Sequence, residues 1–285
     1  MPGLYGYDVD SERAIDTVRH ALDSSIRFMD TSNGYADSET RIGCALRLHG
    51  GLPKDYVLAT KVDPALGSTD FSGRRVRESF EESLGRLGVD HLQLLHLHDP
   101  ERVPFEEAMA AGGPVQELIA LRDEGLVGHL GVAGGNIEAM MAYVETDVFD
   151  VVLTHSRYTL LDRSAGPLLD LAREHHLGTL NAAPFAGGLV ARGPGKQPGY
   201  AYSAQDSFIN HTVSRMIRVS EHYDVPLAAA ALQLSLQEAR IDSTVVGVST
   251  PARIDETLQL MSIEIPQGMW NDLNDLLPPT DRWLN

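Results

Sequence analysis

Short apolar runs that end in a polar or charged residue alternate along this chain with longer stretches whose apolar positions recur every three or four residues. The first pattern predicts strands and the second amphipathic helices. A helix is predicted over Glu12–Asp23, with Ala14, Ile15, Val18, Ala21 and Leu22 at helical spacing and Asp10 or Ser11 as its cap. The strand Ile26–Asp30 follows, then a helix over Ser38–Leu48, the strand Val57–Lys61, and a helix over Ser72–Leu87 carrying Val76, Phe80, Leu84 and Leu87 on one side. Leu92–His98 is the third strand and Val115–Glu124 its helix. His129–Ala133 and Ile137–Val144 form the next pair, then Asp150–Thr154 with Ala165–His175, then the strand Gly178–Ala183. Residues 184–206, rich in Gly, Pro and Ala, read as a long loop, a length that is usually functional or mobile in a compact domain. Helices over Phe208–His222 and Pro226–Glu238, the strand Thr244–Gly247, and helices over Pro251–Leu260 and Gly268–Leu277 complete the pattern.

Strands alternating with helices imply parallel βα units. No shift of composition divides the chain, so the expectation is a single α/β domain over 1–285, a (β/α)8 TIM-type barrel. Seven strands can be counted, whereas a closed barrel of this type has eight. The missing one is the first, because only ten residues precede the first helix. Two neighbouring strands would then keep unpaired edges, which are normally covered. Partial filling by residues 2–8, with weakened cofactor affinity, is the expectation.

Composition narrows the function classes. The chain has 285 residues, 43% of them apolar, and a formal net charge of −17. It can bury a core, and its acidity argues against a phosphate-backbone partner such as nucleic acid. Cys44 is the only cysteine, so no intrachain disulfide can form. With no basic-then-apolar leader and no apolar run near the ~20 residues of a membrane span, a cytoplasmic, membrane-free protein is expected.

The candidate chemistry sits at strand ends. Asp30, Lys61 and His98 close three consecutive strands, and Tyr35 lies just past the first. In a parallel barrel all four face the mouth where active sites form. An ammonium near a phenol stabilises the phenolate and makes the tyrosine a working proton donor, and a paired aspartate keeps that ammonium charged and oriented. A histidine beside the tyrosine can hydrogen-bond a substrate carbonyl.

The segments FMDTSNGYADSE, VLATKVD, SLGRLGVDHLQLLHLHDP, LGVAGGN and VVGVSTPARIDETLQ resemble the aldo-keto reductases from about Gly3 to the C-terminus. Within that family, HSRYTLLDRSA and NAAPFAGGL resemble the branch of L-fucose and D-threo-aldose 1-dehydrogenases and pyridoxal 4-dehydrogenase. The resemblance implies an NAD(P)-dependent oxidoreductase that moves hydride between nicotinamide and the carbonyl or alcohol of an aldose, a pyridoxal-like compound or another small aldehyde. It maps the family's catalytic tetrad onto Asp30, Tyr35, Lys61 and His98, with Tyr35 as general acid or base. It also maps the adenosine-phosphate site onto the loop and helix start after the last strand, at Gly247, Ser249, Thr250, Arg253, Glu256 and Thr257. Ala133-Gly134 stand where the wider family holds the nicotinamide amide with Ser-Asn, and Ala182 stands in place of a stacking aromatic, for which Phe185 is the substitute. Val248 replaces a frequent Lys and Thr257 a frequent Asn. That weakens recognition of a 2′-phosphate and favours NAD, while Arg253 keeps NADP open.

Two other readings remain at the level of sequence. A barrel short of one strand could use the tetrad for proton transfer alone, as a lyase, an isomerase or a non-catalytic relative. Less in keeping with the pattern is a metal-dependent barrel hydrolase, suggested by His96 and His98 on one strand face. It would call for further ligands at later strand ends, where His155 is available but the last strand has no Asp. No metal is expected.

Overall fold

The structure is a computed structural model and describes residues 9–194 and 206–284. Residues 2–8, expected to fill the place of a first strand, therefore lie outside the described residues, as does 195–205 of the long loop. The chain divides into two compact units. The first runs to Val152 and includes His175–Leu177 and Val248–Ile254. The second comprises Leu153–Glu174, Gly178–Gly247 and the chain from Asp255 onward.

In the first unit α1 (Ser11–Asp23) leads to β1 (Phe28–Asp30), α2 (Ser38–His49), β2 (Val57–Val62), α3 (Gly73–Leu87) and β3 (Leu92–His98). A 3-10 turn at Pro100–Arg102, α4 (Phe105–Met109), α5 (Pro114–Asp123), β4 (Val127–Gly134) and α6 (Ile137–Val144) follow. Local signals set the helix starts. The Asp10, Ser72 and Asn136 side chains accept from the Arg13, Arg75 and Ala139 amides, which the first turn leaves without helical partners. Gly50 and Gly88 end α2 and α3 at φ 93° and 71°, a conformation that costs other residues a steric penalty.

β1 to β4 lie side by side and parallel, with Asp30 opposite Ala59, Lys61 opposite His96 and His98 opposite Ala133. Beyond β1 the ladder continues, as Thr31 N donates to Ala59 O (3.0 Å) and Asn33 N to Lys61 O (3.2 Å). The loop that carries Tyr35 is thereby tied to β2. Side chains alternate across the sheet, so Leu95 and Leu97 share one face and His96 and His98 the other. The buried apolar side of this unit includes Leu58, Leu95 and Leu97 on strands and Val76, Phe80, Leu87, Leu118 and Leu121 on helices. Each such side chain contributes roughly 1.5–3 kcal/mol.

The second unit holds the end of β5 (Val151–His155), α7 (Gly166–Glu174), β6 (Gly178–Ala182), a 3-10 turn at Ala186–Gly188, α8 (Leu189–Arg192), α9 (Ser207–Tyr223), α10 (Leu227–Leu236) and β7 (Ser243–Val245). β6 and β7 pair in parallel, Asn181 opposite Thr244, and the Ser156 amide just past β5 donates to Ala182 O at 3.0 Å. Its core joins Leu160, Leu161, Leu189, Val190, Val213, Met216, Ala230, Met269 and Leu273. α11 (Pro251–Leu260) and α12 (Gln267–Asn274) close the chain.

The observed elements differ from the pattern reading at a few places. β1 starts at Phe28 rather than Ile26, because the Ile26 amide is taken by the Ser24 hydroxyl (3.1 Å). β7 ends at Val245 rather than Gly247. The stretch read as loop from 184 contains α8 and a 3-10 turn. The turn is possible because Gly187 and Gly188 take φ 68° and 93°. Seven strands are present among the described residues.

Candidate active site

Asp30 ends β1, Lys61 lies one residue before the end of β2, and His98 ends β3. Parallel pairing brings these ends together. Lys61 is 2% exposed, and its Nζ donates to Asp30 Oδ2 and to Thr31 O, both at 2.6 Å. An ammonium this deeply buried is stable only with such partners. The same Nζ lies 4.8 Å from the centroid of the Tyr35 ring. His98 meets that ring edge-on, with centroids 5.6 Å apart. The four residues singled out in the sequence therefore form one cluster within the first unit. The Asp30 Oδ1 oxygen is buried with no hydrogen-bond partner among the described residues.

Two further side chains belong to the cluster. Asp63, 3% exposed, places Oδ1 2.7 Å from His98 Nδ1. Its Oδ2 accepts from the Gly34 amide (2.9 Å) and from the Ser32 hydroxyl. Burial alone would push the Asp63 carboxyl up. The hydrogen bond and charge of His98, then Ser32 and the Gly34 amide, overcome that and hold it below the usual carboxylate range. The sequence carries a signal for Asp63, since it lies two residues beyond Lys61 and a strand's period of two puts both on one face.

His96 shares the strand face of His98 but not its surroundings. It is fully buried, and neither ring nitrogen has a hydrogen-bond partner among the described residues. Burial first, then the charges of Lys61 and His98, hold it far below the ordinary histidine range, so it is neutral. Its ring occupies the space beside Gly131, where a Cβ would lie 2.1 Å from Nδ1. Among the described residues no three metal-binding side chains come together.

The residues matched to the adenosine-phosphate site flank the start of α11. Ser249, Thr250 and Arg253 lie in the part of this stretch that belongs to the first unit, and Gly247, Glu256 and Thr257 in the part that belongs to the second. The Arg253 amide donates to Thr250 O (3.1 Å) and Thr250 Oγ1 (3.2 Å), so Thr250 caps the helix. A ten-residue helix start carrying two hydroxyls and an exposed guanidinium is a donor set that fits a phosphate. Phe185 is half-buried and packs against the second unit's apolar core. Ala133 and Gly134, at the end of β4, are buried.

A carboxylate, an ammonium, a phenol and an imidazole gathered at the ends of parallel strands have the chemistry to move a proton to or from an oxygen. Comparison with known proteins identifies the class. Residues 3–278 match the Aldo/keto reductase family, and the chain belongs to it. It is 31% identical to a D-threo-aldose 1-dehydrogenase of a Pseudomonas species, over 93% of this chain and 88% of that protein. It is 28% identical to a pyridoxal 4-dehydrogenase of Microbacterium luteolum, over 96% of this chain and 90% of that protein. Aldo-keto reductase AKR11C1 from Bacillus halodurans, solved in its holo form, has a similar fold, with a TM-score of 0.74 and 22% identity over 95% of this chain and 88% of that one. The chain thus has the aldo-keto reductase barrel fold and is an NAD(P)-dependent oxidoreductase, as its resemblance implied. No helix among the described residues is long and apolar enough to cross a membrane.

Proposed function

We propose that this protein interconverts the carbonyl and alcohol forms of a small aldose-like substrate, with NAD preferred over NADP and with Tyr35 moving the proton. The observation that carries the assignment is the Lys61 ammonium, 2.6 Å from Asp30 and 4.8 Å from the Tyr35 ring centroid. When bound, the nicotinamide carries the hydride. Tyr35 gives its proton to the oxygen as a carbonyl is reduced and takes one from the hydroxyl as an alcohol is oxidised. Lys61 stabilises the phenolate left after donation, and Asp30 keeps Lys61 charged and fixed. His98 hydrogen-bonds the same substrate oxygen and fixes its place beside Tyr35.

Ser249, Thr250 and Arg253, with Gly247, Glu256 and Thr257, would hold the adenosine-phosphate end. The aldose substrate class follows the D-threo-aldose 1-dehydrogenase to which the chain is similar. The preference for NAD rests on Val248, which leaves one cation fewer for a 2′-phosphate. A single barrel domain over 1–285 goes with this reading, because strand–helix alternation runs through both units and each draws on separated stretches of chain. A cytoplasmic setting suits the lone Cys44, and a net charge of −17 suits a small-molecule partner rather than nucleic acid.

The test is titration with NADH and NADPH, then turnover on a panel of aldoses, pyridoxal and simple aldehydes, each with wild type and Tyr35→Phe. Turnover that falls roughly 10²–10⁴-fold in Tyr35→Phe with folding intact supports the assignment. A fully active Tyr35→Phe protein, or one that binds neither nucleotide, refutes it.

A further inference from the structure

We propose that the groove between α9 and α12 is the face through which two copies of this chain associate as a two-fold dimer. The inference goes beyond the proposed function and needs neither nucleotide nor substrate.

The sequence of α9 lays a cationic stripe along one side of the helix. Arg215, Arg218 and His222 recur at three- and four-residue spacing, so they stack on one face, and all three are exposed. The buried side, with Val213 and Met216, packs into the second unit's core. α12 is tied to α9 where Tyr223 Oη donates to Asp272 Oδ2 at 3.0 Å. Asp272 and Asp275, both exposed, line the same groove from α12, and the half-buried Val219 and Leu276 complete its lining. Elsewhere arginines are engaged: Arg75 and Arg86 with Glu82, Arg77 with Glu124, and Arg240 with Glu238 and Asp170. The Arg215 and Arg218 guanidinium groups make no hydrogen bond, ion pair or ring contact among the described residues, and neither does the Asp275 carboxylate. The cationic and acidic walls of the groove are thus open to an outside partner.

The charges decide what that partner is. Cations on one wall and carboxylates on the other suit neither a polyanion nor a polycation. They suit the same face turned by half a revolution, because a two-fold contact matches every pairing with its reciprocal. Arg215 and Arg218 then meet the partner subunit's Asp272 and the partner subunit's Asp275, and the reverse pairs form with them. An apolar anchor extends the face. Phe208 lies seven positions before Arg215, hence on the same side of α9, and it is exposed with the Arg282 guanidinium carbon 5.2 Å from its ring centre. Aromatic rings and arginines are the residue types enriched where chains meet. The net charge of −17 makes two copies repel at a distance, and a face with two uncompensated guanidinium groups reverses that repulsion locally. At about 0.1 M salt the Debye length of about 10 Å screens the distant repulsion but not pairs in contact.

The test is sedimentation velocity on the full chain at about 0.1 M salt, in a concentration series up to about 100 μM, which reveals a dimer of roughly micromolar strength. The expected wild-type result is a monomer–dimer equilibrium. Arg215→Glu with Arg218→Glu makes both walls acidic, and Asp272→Arg with Asp275→Arg makes both cationic. Each double variant alone should associate at least about tenfold more weakly, since symmetry counts every exposed ion pair twice. An equal mixture of the two should associate again, because each then meets its opposite. A wild type that stays monomeric throughout the series overturns the proposal. If that monomer binds a labelled oligo-glutamate peptide through Arg215 and Arg218, the face belongs to a foreign acidic partner instead. Variants that dimerise like wild type, or a mixture that stays monomeric, also overturn it. Asp272→Arg gives up the Tyr223 bond, so folding is checked by circular dichroism, and if that variant does not fold the arginine variant decides alone. Sedimentation reads no chemistry, so a dimer without redox activity would refute the proposed function and leave this assignment standing.

Discussion

Replacing Asp30 by Ala leaves the Lys61 ammonium buried with the Thr31 carbonyl as its one hydrogen-bond partner among the described residues, beside the Tyr35 ring. Lys61 is 2% exposed and Asp30 9%, so water cannot easily replace the lost carboxylate. Breaking a buried ion pair from one side costs about 3–5 kcal/mol, against at most about 1 for an exposed pair. A chain of this size would lose on the order of 10 °C in Tm. Adding Lys61→Met removes the unpaired charge and puts an unbranched apolar side chain in its space. Such exchanges of a buried pair for apolar groups are often neutral, so the double variant should return to within about 1–2 kcal/mol of wild type while remaining inactive. Urea unfolding of wild type, both single variants and the double variant, followed by circular dichroism, yields the coupling energy directly. An Asp30→Ala cost below about 1 kcal/mol, or a double variant no more stable than Asp30→Ala, would refute the reasoning.

Arg253→Ala should weaken nucleotide binding by about 1.5–3 kcal/mol, measured by fluorescence titration, and an equal loss for NADH and NADPH would show that Arg253 does not read the 2′-phosphate. The Arg75 guanidinium, opposed by burial and helped by Asn33 and Arg86, holds the Glu82 carboxyl down to about 2. A carboxyl depressed in the folded state contributes stability above its unfolded value, about 4.5, and loses it as pH falls toward 2, so Glu82→Gln should flatten the acid side of the Tm–pH curve. Gly43→Ala should cost about 1–3 kcal/mol or more in thermal melts, because its Cβ would sit 2.1 Å from the Arg86 carbonyl oxygen where α2 meets α3.

Strong end signals made parts of the fold legible in the sequence. Leu92–His98, Ile137–Val144 and Pro251–Leu260 have the bounds that the pattern predicts, the last two because Asn136 caps one helix and Pro251 opens the other. α4 carries no readable period because its five residues, Phe105–Met109, hold too few apolar positions to show one. α8 was hidden by the Gly-rich composition around it. At the site, the approach of Asp30 to Lys61 followed from their strand-end positions alone. Asp63 was legible in period but not in role, since its choice of His98 over solvent depends on side-chain geometry fixed by Ser79 and Arg75 from a separate helix.

The contact between His96 and Gly131 has a historical consequence. The imidazole fills the volume that any side chain at 131 would need. A lineage carrying His96 can therefore accept no larger residue at 131 in one step, and shrinking His96 first opens a void beside the Lys61 strand. The two positions must change in a set order or together. Homologues are expected to sort into a histidine–glycine pairing and a small–larger pairing, with few sequences in between.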